Sequence, residues 1–349
     1  MNEIAPAAPL APKDYASDQE VRWCPGCGDY AILKAVQKAC ADLALAPENT
    51  VFVSGIGCAA RLPYYMATYG FHTIHGRAPA IATGIKLANP ALDVWLISGD
   101  GDALSIGGNH LLHVLRRNVD ITILLFNNEI YGLTKGQYSP TSREGTRSPS
   151  TPGGSLDHPV SAVLFALGAG ARFVARGVDT QQKVLPEVLK RAHAHKGAAL
   201  VEIFQNCIVY NDDAFAGFTA REVAAARQVH VEHGKPLLFG GDGKGPATHG
   251  LRLNAKTLAL EAVALGEGGV TEADILVHDQ TNRVLAGMLA AMQPPHLPVA
   301  LGVLYDDPAP AYDAQVADQM TDAVGGAWPA PVGGDIDALL RGGHTWTVE

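Results

Sequence analysis

Cysteine is scarce in this sequence: five among 349 residues, an odd number. So few thiols exclude a disulfide framework as the organising device and leave each one open to metal or redox use. Positive charge is also in deficit. Lys and Arg number 26 against 35 Asp and Glu, a net charge of −9, which argues against nucleic acid or an anionic membrane as general partner. No apolar run is long enough to span a bilayer. The stretch Met1–Pro12 is rich in Ala and Pro but has neither the basic start nor the sustained apolar core of a secretory signal. Residues 1–19 are therefore expected to form a flexible arm, and the protein to be cytoplasmic. Against these shortages, hydrophobic residues make up 47% of the chain, with 38 Gly and 22 Pro. That supplies a sizeable core connected by many tight turns.

Strand-length apolar runs recur at 51–53, 94–98, 121–126 and 200–204. Between them lie stretches with helical apolar spacing, at 30–45, 107–117, 160–171 and 181–195. Continuous apolar strands alternating with helices predict an α/β fold, a doubly wound parallel sheet covered on both faces. Residues 20–207 are read as this domain. Residues 140–159 are rich in Ser, Thr, Gly and Pro and predict a long loop. Residues 208–349 change character and are read as a C-terminal extension packing on the domain or on a partner. In it, 222–228 has a helical pattern, 239–250 is almost all turn formers, and a smaller αβ-like pattern runs through 255–265, 275–277, 280–292 and 299–304.

Gly99-Asp100-Gly101-Asp102 follows one predicted strand, and Asn127-Asn128 ends the next, with Asn128 28 residues beyond Asp100. In an open parallel sheet both segments arrive at the C-terminal edge, where ligands bind. Glycines admit a phosphate close to the backbone, and a helix expected to start near Gly107 would offer amide donors to an anion. Asp100 supplies a hard carboxylate for Mg²⁺, and an Asn side-chain oxygen with the Ile130 carbonyl suits the remaining positions. This is the pattern of a thiamine diphosphate cradle. A second Gly-Asp-Gly at 241–243 has no preceding strand and no following Asn pair, so it is rejected as a cradle.

Cys24 and Cys27 flank Pro25-Gly26 just before a predicted helix, a spacing that lets both thiolates reach one metal centre. Cys58 and Cys207 each follow a predicted strand and are expected on the same sheet edge. Cys40 lies inside an apolar helix and reads as a small buried hydrophobe. Spacing alone leaves zinc open beside an iron–sulfur cluster. The neighbouring cradle favours iron, because its chemistry needs an electron acceptor.

Residues 20–215 resemble the β subunits of 2-oxoacid:ferredoxin oxidoreductases. The resemblance rests on W-C-P-G-C-G-D, G-I-G-C, H-G-R-A-P-A-I-A-T-G, G-D-G-D with I-G-G-N-H, N-N-E-I-Y-G-L-T-K-G-Q and the late cysteine, in that order. It is greatest to the 2-oxoglutarate branch. It implies a 4Fe–4S cluster on Cys24, Cys27, Cys58 and Cys207, and Mg²⁺ at Asp100, Asn128 and the Ile130 carbonyl. It also implies thiamine diphosphate contacts at Ile56, Gly57, Cys58, Ala59, His75, Gly101, Asp102, Gly132 and Leu133, to which the adjoining Thr134 is added. The long C-terminal extension departs from compact family members.

The implied reaction is coenzyme A-dependent oxidative decarboxylation of 2-oxoglutarate to succinyl-CoA, with electrons passing singly through the cluster to ferredoxin. In reverse it is reductive carboxylation. Thiamine enzymes need a carboxylate on the aminopyrimidine, and this chain has only one cradle-type unit. A partner α subunit is therefore expected, in an α₂β₂ assembly. His75 is a candidate for the diphosphate or the substrate carboxylate. Lys135 is a candidate for the distal carboxylate of 2-oxoglutarate, and Arg77 is a second anion-binding candidate. The alternatives are the same chemistry on pyruvate or another 2-oxo acid, a non-oxidative thiamine-dependent decarboxylase or carboligase with structural zinc, and an iron–sulfur scaffold with a vestigial cradle.

Overall fold

Strands that are apolar along their whole length must be covered on both faces, and this requirement organises the molecule. The computed structural model describes residues 10–241 and 245–324. Its strands are β1 (Thr50–Ser54), β2 (Tyr69–His72), β3 (Asp93–Gly99), β4 (Ile121–Asn127), β5 (Phe173–Val178), β6 (Ala198–Phe204), β7 (Gln228–Val231), β8 (Leu238–Phe239), β9 (His249–Asn254), β10 (Ala259–Ala264) and β11 (Val299–Asp306). Eight of them form one sheet in the order β2-β1-β3-β4-β6-β5-β11-β7. Strands β1 to β6 run parallel. β11 is antiparallel to β5, and β7 lies parallel to β11.

Alternation along each strand divides the interior into two cores. Val51, Val53, Leu96, Ile123 and Leu125 face one side, with the helices Ala78–Ala88, Gly108–Arg117, Ala162–Gly168 and Arg283–Ala291. Phe52, Trp95, Ile97, Leu124 and Phe126 face the other, against the helices Asp29–Asp42 and Leu185–Ala194. This is the doubly wound α/β sheet expected from the sequence. The chain moves outward from β1 to β2 on one side and from β3 to β4 on the other, so the strand order reverses between β1 and β3. A crevice at the C-terminal ends of those two strands follows from that reversal.

Residues beyond 208 add β7 and β11 to the main sheet and form a separate antiparallel sheet, β10-β9-β8. Gly302 of β11 has φ +109°, and a Cβ there would lie 2.8 Å from the Val231 carbonyl oxygen of β7. Only glycine lets the two strands approach so closely. Three sequence expectations need correction. The 255–265 segment is the return arm of a β-hairpin rather than the start of an αβ-like pattern. Leu258 turns the chain with φ +55°, and Arg252 and Glu261 pair across the strands at 2.7 Å. The helix expected over 222–228 is limited to Ala224–Arg227 and gives way to β7. Within the arm expected to be flexible, Pro12–Tyr15 forms a 3₁₀ turn, and Tyr15 is fully buried with its hydroxyl donating to the Leu45 carbonyl at 2.5 Å. An aromatic ring with a partner for its polar end anchors that turn. Residues 1–9 of the arm lie outside the described residues, as do Asp242 and Gly243 of the second Gly-Asp-Gly. Among the described residues no helix is long and apolar enough to cross a membrane.

Candidate active site

The C-terminal end of β1 turns through Gly55–Gly57 into Cys58, and the end of β3 delivers Gly99-Asp100. The end of β4 delivers Asn127-Asn128, and that of β6 leads to Gln205 and Cys207. All four meet on one edge of the sheet and enclose two adjoining cavities.

The first cavity has a volume of about 170 Å³. The turn Ile56–Ala59 and His75 form one wall, Asp100–Asp102 the floor, and Asn128 with Ile130–Thr134 the far wall. Every residue that the sequence nominated for thiamine diphosphate or Mg²⁺ therefore lines one space. Asp100 is 2% exposed. It accepts hydrogen bonds from Ser139 Oγ at 2.5 Å and Thr141 Oγ1 at 2.6 Å. Burial nevertheless pushes its pKa up to about 6, against the pull of these hydroxyls. A carboxylate held in so little water is suited to a cation, whose charge restores the ionised form. Asn128 Nδ2 donates to Gln205 Oε1 at 2.8 Å, which turns its side-chain oxygen away from Gln205. The helix nearest the floor is Asp100–Leu104, directly after β3, rather than one starting near Gly107; the latter begins at Gly108, beyond Ser105–Gly107.

Gly101 has no room for a side chain. A Cβ there would lie 2.2 Å from Tyr131, whose hydroxyl donates to the Gly101 carbonyl at 3.0 Å. Asp102 faces the protein. Its Oδ1 accepts from Ile56 N at 3.1 Å and Gly76 N at 2.7 Å and meets His75 Nδ1 at 2.6 Å. Its Oδ2 accepts from Ser98 Oγ at 2.5 Å. One carboxylate thus fixes the β1 turn, the His75 ring and the Gly76 backbone together. Arg77 lies outside this cavity and donates to the Ile106 carbonyl at 3.4 Å.

The second cavity, of about 220 Å³, is lined by Cys24, Cys27, Cys58 and Cys207. Cys27 N donates to the Cys24 carbonyl at 3.0 Å across a tight turn in which Gly26 has φ +86°. Trp23 Nε1 donates to the Cys58 carbonyl at 2.7 Å. Burial first, then neighbouring negative charge, raises the thiol pKa of Cys27 and pushes that of Cys58 up to about 12. Burial raises Cys207 too, although the Val209, Tyr210 and Asn211 amides pull it down. The raised thiols of Cys27, Cys58 and Cys207 are suited to a metal centre that takes up thiolate charge. Among the described residues no three His, Cys, Asp or Glu side chains close around a single ion. Cys40 is apart from the other four, fully buried in the core of its helix.

The two cavities share a wall made by Cys58, Asn128, Gly132 and Leu133. A Cβ on Gly132 would be 3.6 Å from both the Cys58 and the Cys207 sulfur, so the Gly132 backbone stands between cradle and thiols. Lys135, in the left-handed region with φ +77°, lines the cysteine cavity rather than the first one. Its N–H donates to the Gly132 carbonyl at 3.0 Å in the turn that Gly136 closes onto Tyr131. Sequence reasoning did not single out Ser98, Ser139, Thr141, Tyr131 or Gln205. The only signal for the hydroxyls was the Ser- and Thr-rich loop, and Gln205 gave none beyond standing two residues before Cys207.

The family model for the thiamine pyrophosphate enzyme C-terminal TPP-binding domain matches residues 55–203. The chain is 49% identical over 345 residues to the 2-oxoglutarate oxidoreductase subunit KorB of Mycobacterium tuberculosis, covering 98% of this chain and 89% of the relative. It is 41% identical over 188 residues to the 2-oxoglutarate synthase subunit KorB of Methanocaldococcus jannaschii, covering 54% of this chain and 70% of that one. Among solved structures, it matches the 2-oxoglutarate:ferredoxin oxidoreductase of Magnetococcus marinus, determined with 2-oxoglutarate, coenzyme A and succinyl-CoA bound. That match has a TM-score of 0.75 and 33% identity, and covers 96% of this chain and 97% of that one. Sequence, fold and cradle agree, and the chain belongs to the β subunits of the 2-oxoglutarate:ferredoxin oxidoreductases.

Proposed function

We propose that this subunit carries out coenzyme A-dependent oxidative decarboxylation of 2-oxoglutarate to succinyl-CoA and CO₂. Electrons leave one at a time through a 4Fe–4S cluster on Cys24, Cys27, Cys58 and Cys207 toward ferredoxin. The observation that carries this reading is the shared wall of the two cavities, formed in part by Cys58 and Gly132. A cradle built for one cofactor and a four-thiol chamber separated by a single glycine backbone suit electron withdrawal from one to the other.

Asp100, Asn128 and the Ile130 carbonyl would hold Mg²⁺, with the diphosphate close to Gly101, where a side chain cannot fit. Thiamine diphosphate supplies the carbanion chemistry at the 2-oxo carbon, and the cluster accepts the electrons. The protein's own residues orient and enclose. Asp102 holds the Ile56–Ala59 turn against the cavity and fixes the ring of His75 through Nδ1. His75 thereby presents its remaining ring edge to the diphosphate or the substrate carboxylate. Lys135 sits on the turn that carries Gly132 and Leu133 but lines the cysteine cavity, so its ammonium would meet a second carboxylate only if the substrate reaches past that turn. An open cleft of about 520 Å³ adjoins the first cavity at Gly57 and Leu133 and would give a co-substrate access to it. A partner α subunit completes the aminopyrimidine side in an α₂β₂ assembly.

The test is anaerobic. The chain is purified with its partner subunit and its visible spectrum is recorded as 2-oxoglutarate and then coenzyme A are added. The expected result is brown absorbance that bleaches on substrate addition and is weakened by Cys207→Ala. Colourless protein with stoichiometric zinc would overturn the electron-transfer reading.

A further inference from the structure

Gln205 leaves β6 two residues before Cys207 and is 1% exposed. Its backbone N–H donates to the Asn127 carbonyl at 2.9 Å. Its side-chain Oε1 accepts from Asn128 Nδ2 at 2.8 Å. Its Nε2 donates to Cys27 Sγ at 3.3 Å and to the Asn206 carbonyl at 2.5 Å. These partners fix the amide orientation. Turned over, its oxygen would face the Asn206 carbonyl and both side-chain donor contacts would be lost. Both side-chain hydrogens and the oxygen are used, which is the condition under which a buried amide is tolerated.

The two side chains that Gln205 joins belong to different halves of the site. Asn128 lines the cradle, with its Oδ1 accepting from Ile130 N at 3.1 Å, and stands in the shared wall, whereas Cys27 lines the thiol chamber alone. Among the described residues Gln205 is the one side-chain donor to any of the four cavity sulfurs. Resting on the cluster reading above, we propose that Gln205 is a positioning residue that ties the cation site to the cluster. Its Nε2–H stabilises negative charge on the Cys27 sulfur, and its Oε1 holds Asn128 with the side-chain oxygen presented to the cation. A ligating sulfur carries more negative charge when the cluster is reduced, so a donor aimed at it favours the reduced form and raises the potential. The same amide holds a ligand in each half and sets the donor and acceptor pattern between them.

Two variants separate its functions. Gln205→Met keeps the length, adds no charge, and removes both donor and acceptor. Gln205→Glu keeps an acceptor for Asn128 Nδ2 and removes the donor to Cys27. Each is purified anaerobically with the partner subunit, checked by circular dichroism and cluster content, and titrated redox-potentiometrically beside the wild type. Both variants are expected to retain colour and to titrate at a more negative potential. A tenfold lower ratio of reduced to oxidised cluster at fixed poise corresponds to about 59 mV for a one-electron couple. Isothermal titration with Mg²⁺ and thiamine diphosphate is expected to weaken several-fold in Gln205→Met and to hold in Gln205→Glu. An unchanged midpoint in both variants overturns the proposal. So does loss of cluster content with an unchanged midpoint in what remains, since that is packing alone. If Gln205→Met does not assemble, Gln205→Glu carries the test, with a negative midpoint shift at unaltered cofactor affinity as the expected result. A colourless wild type removes the cluster reading itself, and the proposal with it.

Discussion

At the scale of single residues, the site is held by carboxylates that point into the protein. Asp102 is the clearest case, because four groups from three distant parts of the chain converge on it. Gly55 packs so closely that a Cβ would fall 1.9 Å from Asp102 Oδ2. Asp102→Ala leaves the Ile56 and Gly76 amides and the Ser98 hydroxyl without their acceptor in a buried space. It is expected to cost about 4 kcal/mol of stability, since each orphaned donor forfeits roughly 1–3 kcal/mol. Asp102→Asn keeps an oxygen for the two amides, and its cost is expected to be less than half as large. Urea unfolding of the two variants measures this, and equal losses would mean that the carboxylate is not what holds the turn. The motif nominated Asp102 as a cofactor neighbour but gave no sign of its partners. Two of them are backbone amides, which leave no mark in a sequence, and Ser98 reads only as the end of a strand. Ser139 and Thr141 were hidden for a related reason: hydroxyls in a Ser-, Thr- and Pro-rich loop look the same whether they face water or a buried carboxylate.

At the scale of elements, the parallel core was legible because its strands are apolar along their whole length, and the motifs located themselves at strand ends. The region after 208 was harder. Ala255–Leu265 contains apolar residues that satisfy either period, and the cross-strand pair of Arg252 with Glu261 that makes it a hairpin joins residues whose pairing depends on register. β11 was read as part of a smaller pattern, whereas it lies between β7 and β5, the latter more than a hundred residues earlier. His278 ties this region together. It is 1% exposed, and its Nε2 meets the Val303 carbonyl of β11 at 2.9 Å. Burial holds its pKa below the ordinary histidine value, so the folded protein keeps the ring neutral. As pH falls through about 6.5, the unfolded chain takes up a proton that the folded chain refuses, and stability declines. The melting temperature is expected to fall between pH 7.5 and 5.5. The decline should be shallower in His278→Gln, whose amide can still donate to Val303 and does not titrate. Parallel curves for wild type and variant would assign the acid sensitivity to other groups.

At the scale of the whole molecule, the first cavity opens onto a rim that a lone chain leaves bare. Ile74 is 73% exposed, Ile106 50% and Leu133 50%. Ile74 adjoins His75, Ile106 lies against Gly76, where a Cβ would be 2.7 Å from its Cγ2, and Leu133 lines the cavity itself. Three large aliphatic groups around the mouth of a polar cavity are costly to leave in water, and a partner chain is expected to cover them. If the partner subunit proposed above completes the cofactor site, it is expected to approach over this rim. Ile74→Glu combined with Ile106→Glu places two charges on the rim without touching either core. The variant is expected to fold with an unchanged melting temperature when expressed alone. Sedimentation velocity of the co-expressed subunits is expected to reveal separate chains in place of the assembly, because each carboxylate would have to be buried without a partner charge. Thiamine diphosphate binding should then weaken together with assembly. If the complex forms normally, the partner approaches from another face, and the exposure of Ile74 and Ile106 needs a different explanation.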